Sequence, residues 1–323
     1  MKTFSLSKFL LAASLSLGAS AAMAAWPEGP IRLTVGFPPG TGPDIVARTV
    51  GDQLGTELGQ SVVVENKAGA GGQIAAQSVA RAKPDGYSLL LGEVGSMSIT
   101  PETTANLPYD AINDFDPVTE AVRVNFVLVT PPDSPYKTLA EFVEAARKDG
   151  QQFNIATFGA GTPGHFGAEM LAEAANFRIT PIHYRNTGDA LTGIVSGQVQ
   201  GAFITTAMAA SQLSGGKMKA LAITGDARSA MLPNIPTFAE SGHPDVNFGA
   251  WFAFFTPKGT PAEVLDTLNS NIDKALDNAK VRKTLEDMGF VIVGSSRDEL
   301  ASLLQSEKKR WADVVKKTGF KIN

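Results

Sequence analysis

Short apolar runs recur along the chain, and each is followed by a stretch with helical spacing. Residues 31–37 (IRLTVGF) predict a buried strand. Residues 44–58 predict an amphipathic helix, with Ile45, Val46, Thr49, Val50, Gln53, Leu54 and Leu58 sampling one face. The alternation continues with a strand at 61–66, a helix at 71–82 and a strand at 87–93. These strands lack polar alternation, which predicts a mostly parallel sheet covered by helices on both faces. The pattern restarts with a strand at 124–131 and a helix at 138–150. Strands at 153–158, 179–184, 199–205 and 219–224 then alternate with helices at 165–176 and 189–197 and a variable helical piece.

Residues 234–261 have no clean periodicity and read as a crossing back towards the first unit. The C-terminal part reads as helical. Thr260-Pro-Ala-Glu263 has the form of a capping box with Pro at the first helical position, and Val264, Leu268, Ile272 and Leu276 follow at intervals of four. Ser296-Arg-Asp-Glu299 opens a last helix with Leu300, Leu303, Leu304, Trp311 and Val315 on its apolar face and Gly319 as its stop. The expected organisation is two α/β lobes. Residues 25–124 with 247–323 form one and residues 125–246 the other, joined by two chain crossings that make a hinge and a cleft.

Residues 1–24 read as a secretory signal peptide, with Lys2 and Lys8, an apolar core from Phe9 to Gly18, and a small-x-small site at Ala22-Met23-Ala24. The apolar core is too short for a bilayer span of roughly 20 residues. Removing Lys2 and Lys8 from 28 basic residues leaves 26 against 32 acidic ones, so the mature chain is near −6. A mildly acidic exported chain is a poor nucleic-acid binder. There are no cysteines, so the core alone must stabilise the fold, and 43% hydrophobic residues allow it. Three scattered histidines without cysteine argue against a His/Cys metal site. No cofactor is expected, and a monomer is.

Two loops stand out. Residues 36–44 (GFPPGTGPD) and 157–165 (TFGAGTPGH) each follow a strand, carry a Phe near the start, contain Gly-Thr beside Gly and Pro, and feed a helix. Ligands of parallel α/β sheets bind outside the carboxyl ends of strands. A helix start there offers free N–H donors and about half a positive charge, which suits an anion. One such loop per lobe clamps an anion as the lobes close; alternatively, both are ordinary strand-to-helix turns. Gly159-Ala-Gly161-Thr-Pro-Gly164 also fits GxGxxG, but no acidic residue follows the next strand, which ends at Tyr184-Arg185. Glu93 and Ser96 end the third strand, and Glu93 either points outward, pairs with Arg185 or Arg123, or accepts from a ligand amine or hydroxyl. Arg185, Asn186 and Thr187, and Thr205 with Thr206, are polar groups at later strand ends. His165 either donates to a ligand or caps its own helix. The Gly-rich turn at 65–72 lacks the Lys-Ser/Thr ending of a phosphate loop. No nucleophile–base pair assembles.

The segments PIRLTVGFPPGTGPDIVAR, VVVENKAGAGGQIAAQSVARAKPDGYSLLLG, LPYDAINDFDPVT and LPNIPTFAESG resemble the Bug-type (TctC-like) substrate-binding proteins of tripartite tricarboxylate transporters. The resemblance runs from about Trp26 to the C-terminus. It implies a two-lobed periplasmic-binding-protein (Venus flytrap) fold, a small organic carboxylate as ligand, a membrane permease as partner, and no catalysis. It also implies that Phe37, Pro39, Gly40, Thr41, Gly42 and Asp44 with Gly161, Thr162 and His165 hold one carboxylate. Ser96, Tyr184–Thr187, Ile204 and Thr205 contribute the rest of the pocket. The family usually has Gly at Thr41, Thr at Pro43, Thr or Ser at Glu93, Ser or Thr at Pro163, Lys at Arg185 and Asp at Ile204. Ile204 is therefore expected to remove an acceptor and tune the ligand. The rival expectations are a secreted α/β hydrolase and a receptor subunit serving a sensor.

Overall fold

One strand belongs to both halves of the molecule. β4 (Phe115–Thr130) is 16 residues long. Its first part pairs antiparallel with β9 (Gly249–Pro257) from Phe115 to Asn125, and with β10 (Phe290–Ile292) from Val122 to Val124. Its last part pairs antiparallel with β7 (Gly201–Thr205) and β8 (Lys219–Ile223). The computed structural model describes residues 26–148, 153–184 and 186–320, so the signal-peptide reading of residues 1–24 lies outside the described residues.

Outward from β9 lie β3 (Ser88–Glu93), β1 (Ile31–Val35) and β2 (Val62–Asn66). β1 runs parallel to both its neighbours, while β3 pairs antiparallel with β9. Outward from β7 lie β5 (Asn154–Thr157) and β6 (Thr180–His183), all parallel. The sheets are thus mixed, with parallel outer strands and antiparallel pairing around β4. The first half of β4 and all of β9 and β10 escaped the sequence pattern. In β4 the cause is two register shifts, at Pro117/Thr119 and Glu120/Val122, which break the two-residue alternation. β9 is buried from Trp251 onward, so it shows an apolar run with no period.

Helices cover the sheets. α1 (Gly42–Leu58), α8 (Ala262–Asp277) and α9 (Ala279–Asp287) share one apolar cluster with β1. α2 (Gln73–Ala80) and α10 (Arg297–Thr318) share another with Trp251 and Phe255. A short α3 (Thr100–Thr103) follows β3 after a π-turn at Gly95–Ile99. α4 (Leu139–Ala146), α5 (Pro163–Ala174), α6 (Thr187–Val195) and α7 (Thr206–Ser214) flank the second set of strands. α10 has the expected capping box from Ser296 and Glu299, and Gly319 ends it at φ +67°. The expected box at Thr260 does not form. Thr260 Oγ1 donates to Pro257 O (2.8 Å), its N–H donates to Asp116, and α8 starts only after Pro261.

The turn at Ala70–Gly72 packs under the loop that follows β1. A Cβ on Gly36 would lie 2.5 Å from Gly72 Cα, and backbone cannot yield as a side chain does. Gly36→Ala is expected to cost about 1–3 kcal/mol in chemical denaturation, the usual penalty of overpacking. Gly29→Ala, where nothing lies within 4 Å, serves as the neutral control.

Candidate ligand-binding site

The loop after β1 is held from beneath by Asp44. This carboxylate is only 2% exposed. Its Oδ2 accepts the Gly40 N–H (2.8 Å) and Arg48 Nε (3.1 Å), and its Oδ1 accepts Asn66 Nδ2 (2.8 Å). Arg48 Nη2 lies 3.0 Å from the same Oδ1. Asn66 Nδ2 also donates to Phe37 O (3.0 Å). Burial alone would raise the Asp44 pKa, but Arg48, the Gly40 amide and Asn66 outweigh it and hold the carboxyl below its usual range. Asp44 thus fixes the loop, and each of its oxygens already has two partners.

Thr41, where the resembling family has Gly, closes the turn on itself. Its Oγ1 donates to Pro38 O (2.7 Å), and Gly40 bends the loop at φ +80°. That leaves the start of α1 with no side-chain cap. Pro43 has no N–H, so the first-turn donors are the amides of Gly42 and Asp44. α7 also starts without a side-chain cap. Thr205 makes none, and Thr206 Oγ1 donates instead to Asn125 O (3.0 Å). α2, α3 and α8 likewise start without a side-chain cap, whereas α4, α5, α6, α9 and α10 are capped by Thr138, Thr162, Asn186, Asn278 and Ser296.

Glu93 lies inward. Its carboxylate accepts the amides of Gly95 and Ser96, each at 2.6 Å. Burial raises its pKa, and those two amides pull it partly back. Tyr109 Oη donates to Ser96 O (2.5 Å), and burial next to Glu93 raises its pKa in turn. The expected pairing with Arg123 does not form, because Arg123 is bidentate to Glu120 at 2.8 and 2.7 Å. Arg185, the other partner considered, lies outside the described residues. Gly72 joins this group: a Cβ there would sit 3.2 Å from Ser96 Cβ and 3.8 Å from Glu93 Oε1. The end of the 65–72 turn therefore packs against Ser96 and Glu93, although it looked like a bare turn in sequence.

In the second loop Thr162 Oγ1 donates to Gly159 O (2.9 Å) and accepts the His165 N–H at 3.4 Å. The Gly161 N–H donates to His165 Nδ1 (3.1 Å). His165 is buried, and burial with the neighbouring His183 pushes it down to about 4. Tyr184 lies half-buried with its hydroxyl over Gly193, where a Cβ would be 2.1 Å from Oη. Asn186 spends its side chain capping α6 through the Asp189 N–H (2.9 Å), and Thr187 is exposed beside it. Ile204 departs from the expectation for it. It is 1% exposed and packed in a cluster with Val127, Ala156 and Ile194, so it reads as core.

Three close approaches join these pieces. A Cβ on Gly164 would meet Phe203 O at 3.1 Å, one on Gly289 would meet Ala207 N at 3.1 Å, and one on Gly42 would meet the Phe290 ring at 3.4 Å. The start of α5, the end of β7, the start of α7, the Gly289-Phe290 turn and the start of α1 are therefore contiguous. Phe37 and Pro39 lie in the loop that feeds α1, and Thr205 ends β7 just before α7. Sequence reasoning missed Gly72, Ala207, Gly289 and Phe290, and only the Met-Gly-Phe break between two helical patterns hinted at the last pair.

A cavity of about 550 Å³ opens beside this surface, lined by Phe290, Gly289, Trp251, Phe248, Arg123 and Arg310 among others. Neither glycine loop lines it. Its arginines are also committed, Arg123 to Glu120, Arg228 to Glu240, Arg282 to Asp277 and Arg310 to Glu307. The uncapped helix starts are the better place for an anion. Among the described residues no group of three or more His, Asp or Glu is arranged to hold a metal ion. No helix among them is long and apolar enough to cross a membrane.

The sequence profile of the tripartite tricarboxylate transporter receptor family, TctC, matches residues 46–320. The chain belongs to this family. A solved structure described as a periplasmic transporter is 36% identical, covers 93% of this chain and all of its own, and superposes with a TM-score of 0.78. MatC from Rhodopseudomonas palustris, solved with bound malate, is 33% identical, with 90% and 100% coverage and a TM-score of 0.74. An R. palustris protein solved with adipate is 28% identical, with 92% and 99% coverage and a TM-score of 0.78. The chain therefore has the α/β periplasmic-binding-protein fold and is a receptor of the TctC family, not an enzyme.

Two outcomes follow from the geometry. Asp44→Ala is expected to cost about 1–3 kcal/mol, because it strands the Gly40 amide and Asn66, and to speed amide exchange at Gly40. His165 should titrate in the folded protein near pH 4, readable from its ring proton shifts. The sign follows from proton uptake. Between pH 6.5 and about 4 the unfolded chain binds the His165 proton and the folded chain does not. Wild-type stability should therefore fall relative to His165→Asn as pH drops through that window, and level off below it.

Proposed function

We propose that this receptor binds a small organic carboxylate at the starts of α1 and α7, in a pocket whose walls the two glycine loops help to shape, and hands it to a membrane permease. The observation that carries the reading is that two uncapped helix starts, those of α1 and α7, meet across the Gly289-Phe290 turn beside the glycine loops. A carboxylate there would accept from the first-turn amides that Thr41 and Thr205 leave free, and would gain from both helix dipoles. The donors are backbone groups already held by Asp44 and by prolines, so little ordering entropy opposes binding. Phe37 and Phe290 would supply apolar contact for the ligand's carbon skeleton. That related receptors hold malate and adipate supports a ligand of this class.

The lobes that would close on the ligand are residues 25–124 with 247–323, and residues 125–246. The passage of β4 from one set of partners to the other at Asn125/Phe126 supports that division. Export through a cleaved signal peptide at residues 1–24 accords with the periplasmic setting. The ligand-tuning role expected of Ile204 is not carried forward, because its side chain is packed in the core.

The test is a thermal-shift screen of mono-, di- and tricarboxylates, aromatic acids and amino acids, followed by calorimetry. A carboxylate at 100 times its dissociation constant should add about 2.7 kcal/mol to stability. Its uncharged amide analogue should add almost nothing. Stabilisation by neutral compounds alone would overturn the reading.

A further inference from the structure

We propose that His165 is the positioning residue of the second glycine loop: its bare Nδ1 holds the Gly161 N–H inward, and Phe320, just past the end of α10, packs against the ring that does so. The 3.1 Å bond from Gly161 N to His165 Nδ1 requires that nitrogen to be unprotonated. The proton then sits on Nε2, which faces Glu169 Oε1 at 3.9 Å. Together with the Thr162 Oγ1 bond to Gly159 O, this closes the loop at both ends. Gly159 and Gly161 hold φ of +119° and +74°, which few other residues adopt, so the loop needs a tether to keep that shape. The Gly161 amide is thereby spent on His165. In the carboxylate-binding reading, on which this inference rests for its affinity arm, His165 shapes the pocket without touching the ligand.

The ring is caged on three sides. Phe166 stacks on it at 5.0 Å, His183 meets it edge-on at 4.8 Å, and Phe320 meets it edge-on at 5.3 Å. Phe320 lies just beyond α10. The same helix buries Trp311 against Phe166 at 5.6 Å and pairs Lys317 with Glu173 of α5 at 2.6 Å. Its other end buries Leu300 and Leu304 beside Trp251 and Phe255 of β9. α10 therefore ties the β4–β9 sheet to α5, in addition to the two chain crossings, and its tail reaches the residue that sets the loop. The charged and titratable groups nearest His165 are His183 on β6 and Glu169 on α5; Glu173 of α5, Lys317 of α10 and Arg178 line a hollow with Glu169. Lys317 neutralises Glu173, and burial beside His183 keeps the ring uncharged, so Nδ1 can accept the Gly161 N–H.

The test uses the ¹⁵N-labelled wild-type protein near pH 7. The imidazole nitrogens of His165 should show the Nε2–H tautomer; a proton on Nδ1 overturns the proposal without any ligand. In variants, His165→Leu should lose protection of the Gly161 amide about tenfold, the scale of one hydrogen bond, and His165→Asn should restore most of it through its side-chain oxygen. Phe320→Ala should fall between them. Malate and adipate are the affinity probes. For whichever binds the wild type, the dissociation constant should rise about tenfold in the Leu variant and stay near wild type in the Asn variant. If no carboxylate binds the wild type, the carboxylate reading fails while tautomer and exchange still decide the role of His165. Unchanged Gly161 exchange in the Leu variant overturns it. Should the Leu variant not fold, the wild-type tautomer alone decides between the two outcomes.

Discussion

The structure depends on one strand being shared. β4 begins among β9 and β10 and ends among β7 and β8, so the two sets of strands are built on one continuous backbone. Its ladder is interrupted by two register shifts, yet it stays buried along nearly its whole length. Where it changes partners, Asn125 O receives Thr206 Oγ1 and the Phe126 amide donates to Thr224 Oγ1 at 2.8 Å. These bonds fix the start of α7 against β4. The place where the strand is shared is therefore also the place where an uncapped helix start is held.

The site inverts the usual relation between charge and recognition. Among the described residues, the charged groups around the proposed ligand surface already have protein partners. Asp44 is consumed by Gly40, Arg48 and Asn66, Glu93 by two amides, and Arg123 by Glu120. Donors remain as backbone N–H groups at the starts of helices. This suits a receptor that must release its ligand. A buried guanidinium paired to a carboxylate carries a large desolvation cost and leaves a costly unpaired charge when the ligand departs. Helix-start amides change far less between the occupied and empty states.

Much of this was legible in the chain. The two glycine loops, their helices and the last capped helix follow from local rules, and local rules carry those elements. The position of Asp44 under its own loop was half legible: its place at a helix start was plain, but Asn66 and Arg48 meet it only in three dimensions. Thr41 stood out in sequence as a departure from the family's usual Gly, and its hydroxyl closes the turn onto Pro38 O. Ile204 looked like a substituted acceptor and proves to be core, because one position along a strand decides which face a side chain takes. Gly72, Ala207, Gly289 and Phe290 were not legible, since each enters the surface through a tertiary contact with no local pattern. Glu93 was ambiguous because its two partners are backbone amides, and no side-chain pattern announces them.

The central claim is that the ligand's carboxylate is held by helix-start amides and not by the arginines of the neighbouring cavity. The most direct measurement is a crystal structure with the tightest carboxylate from the screen. The expected result is carboxylate oxygens about 2.7–3.2 Å from amide nitrogens at the starts of α1 and α7, with Asp44 still bonded to Gly40. A carboxylate seated instead on Arg123 or Arg310 in the 550 Å³ cavity, with both glycine loops unoccupied, would contradict it.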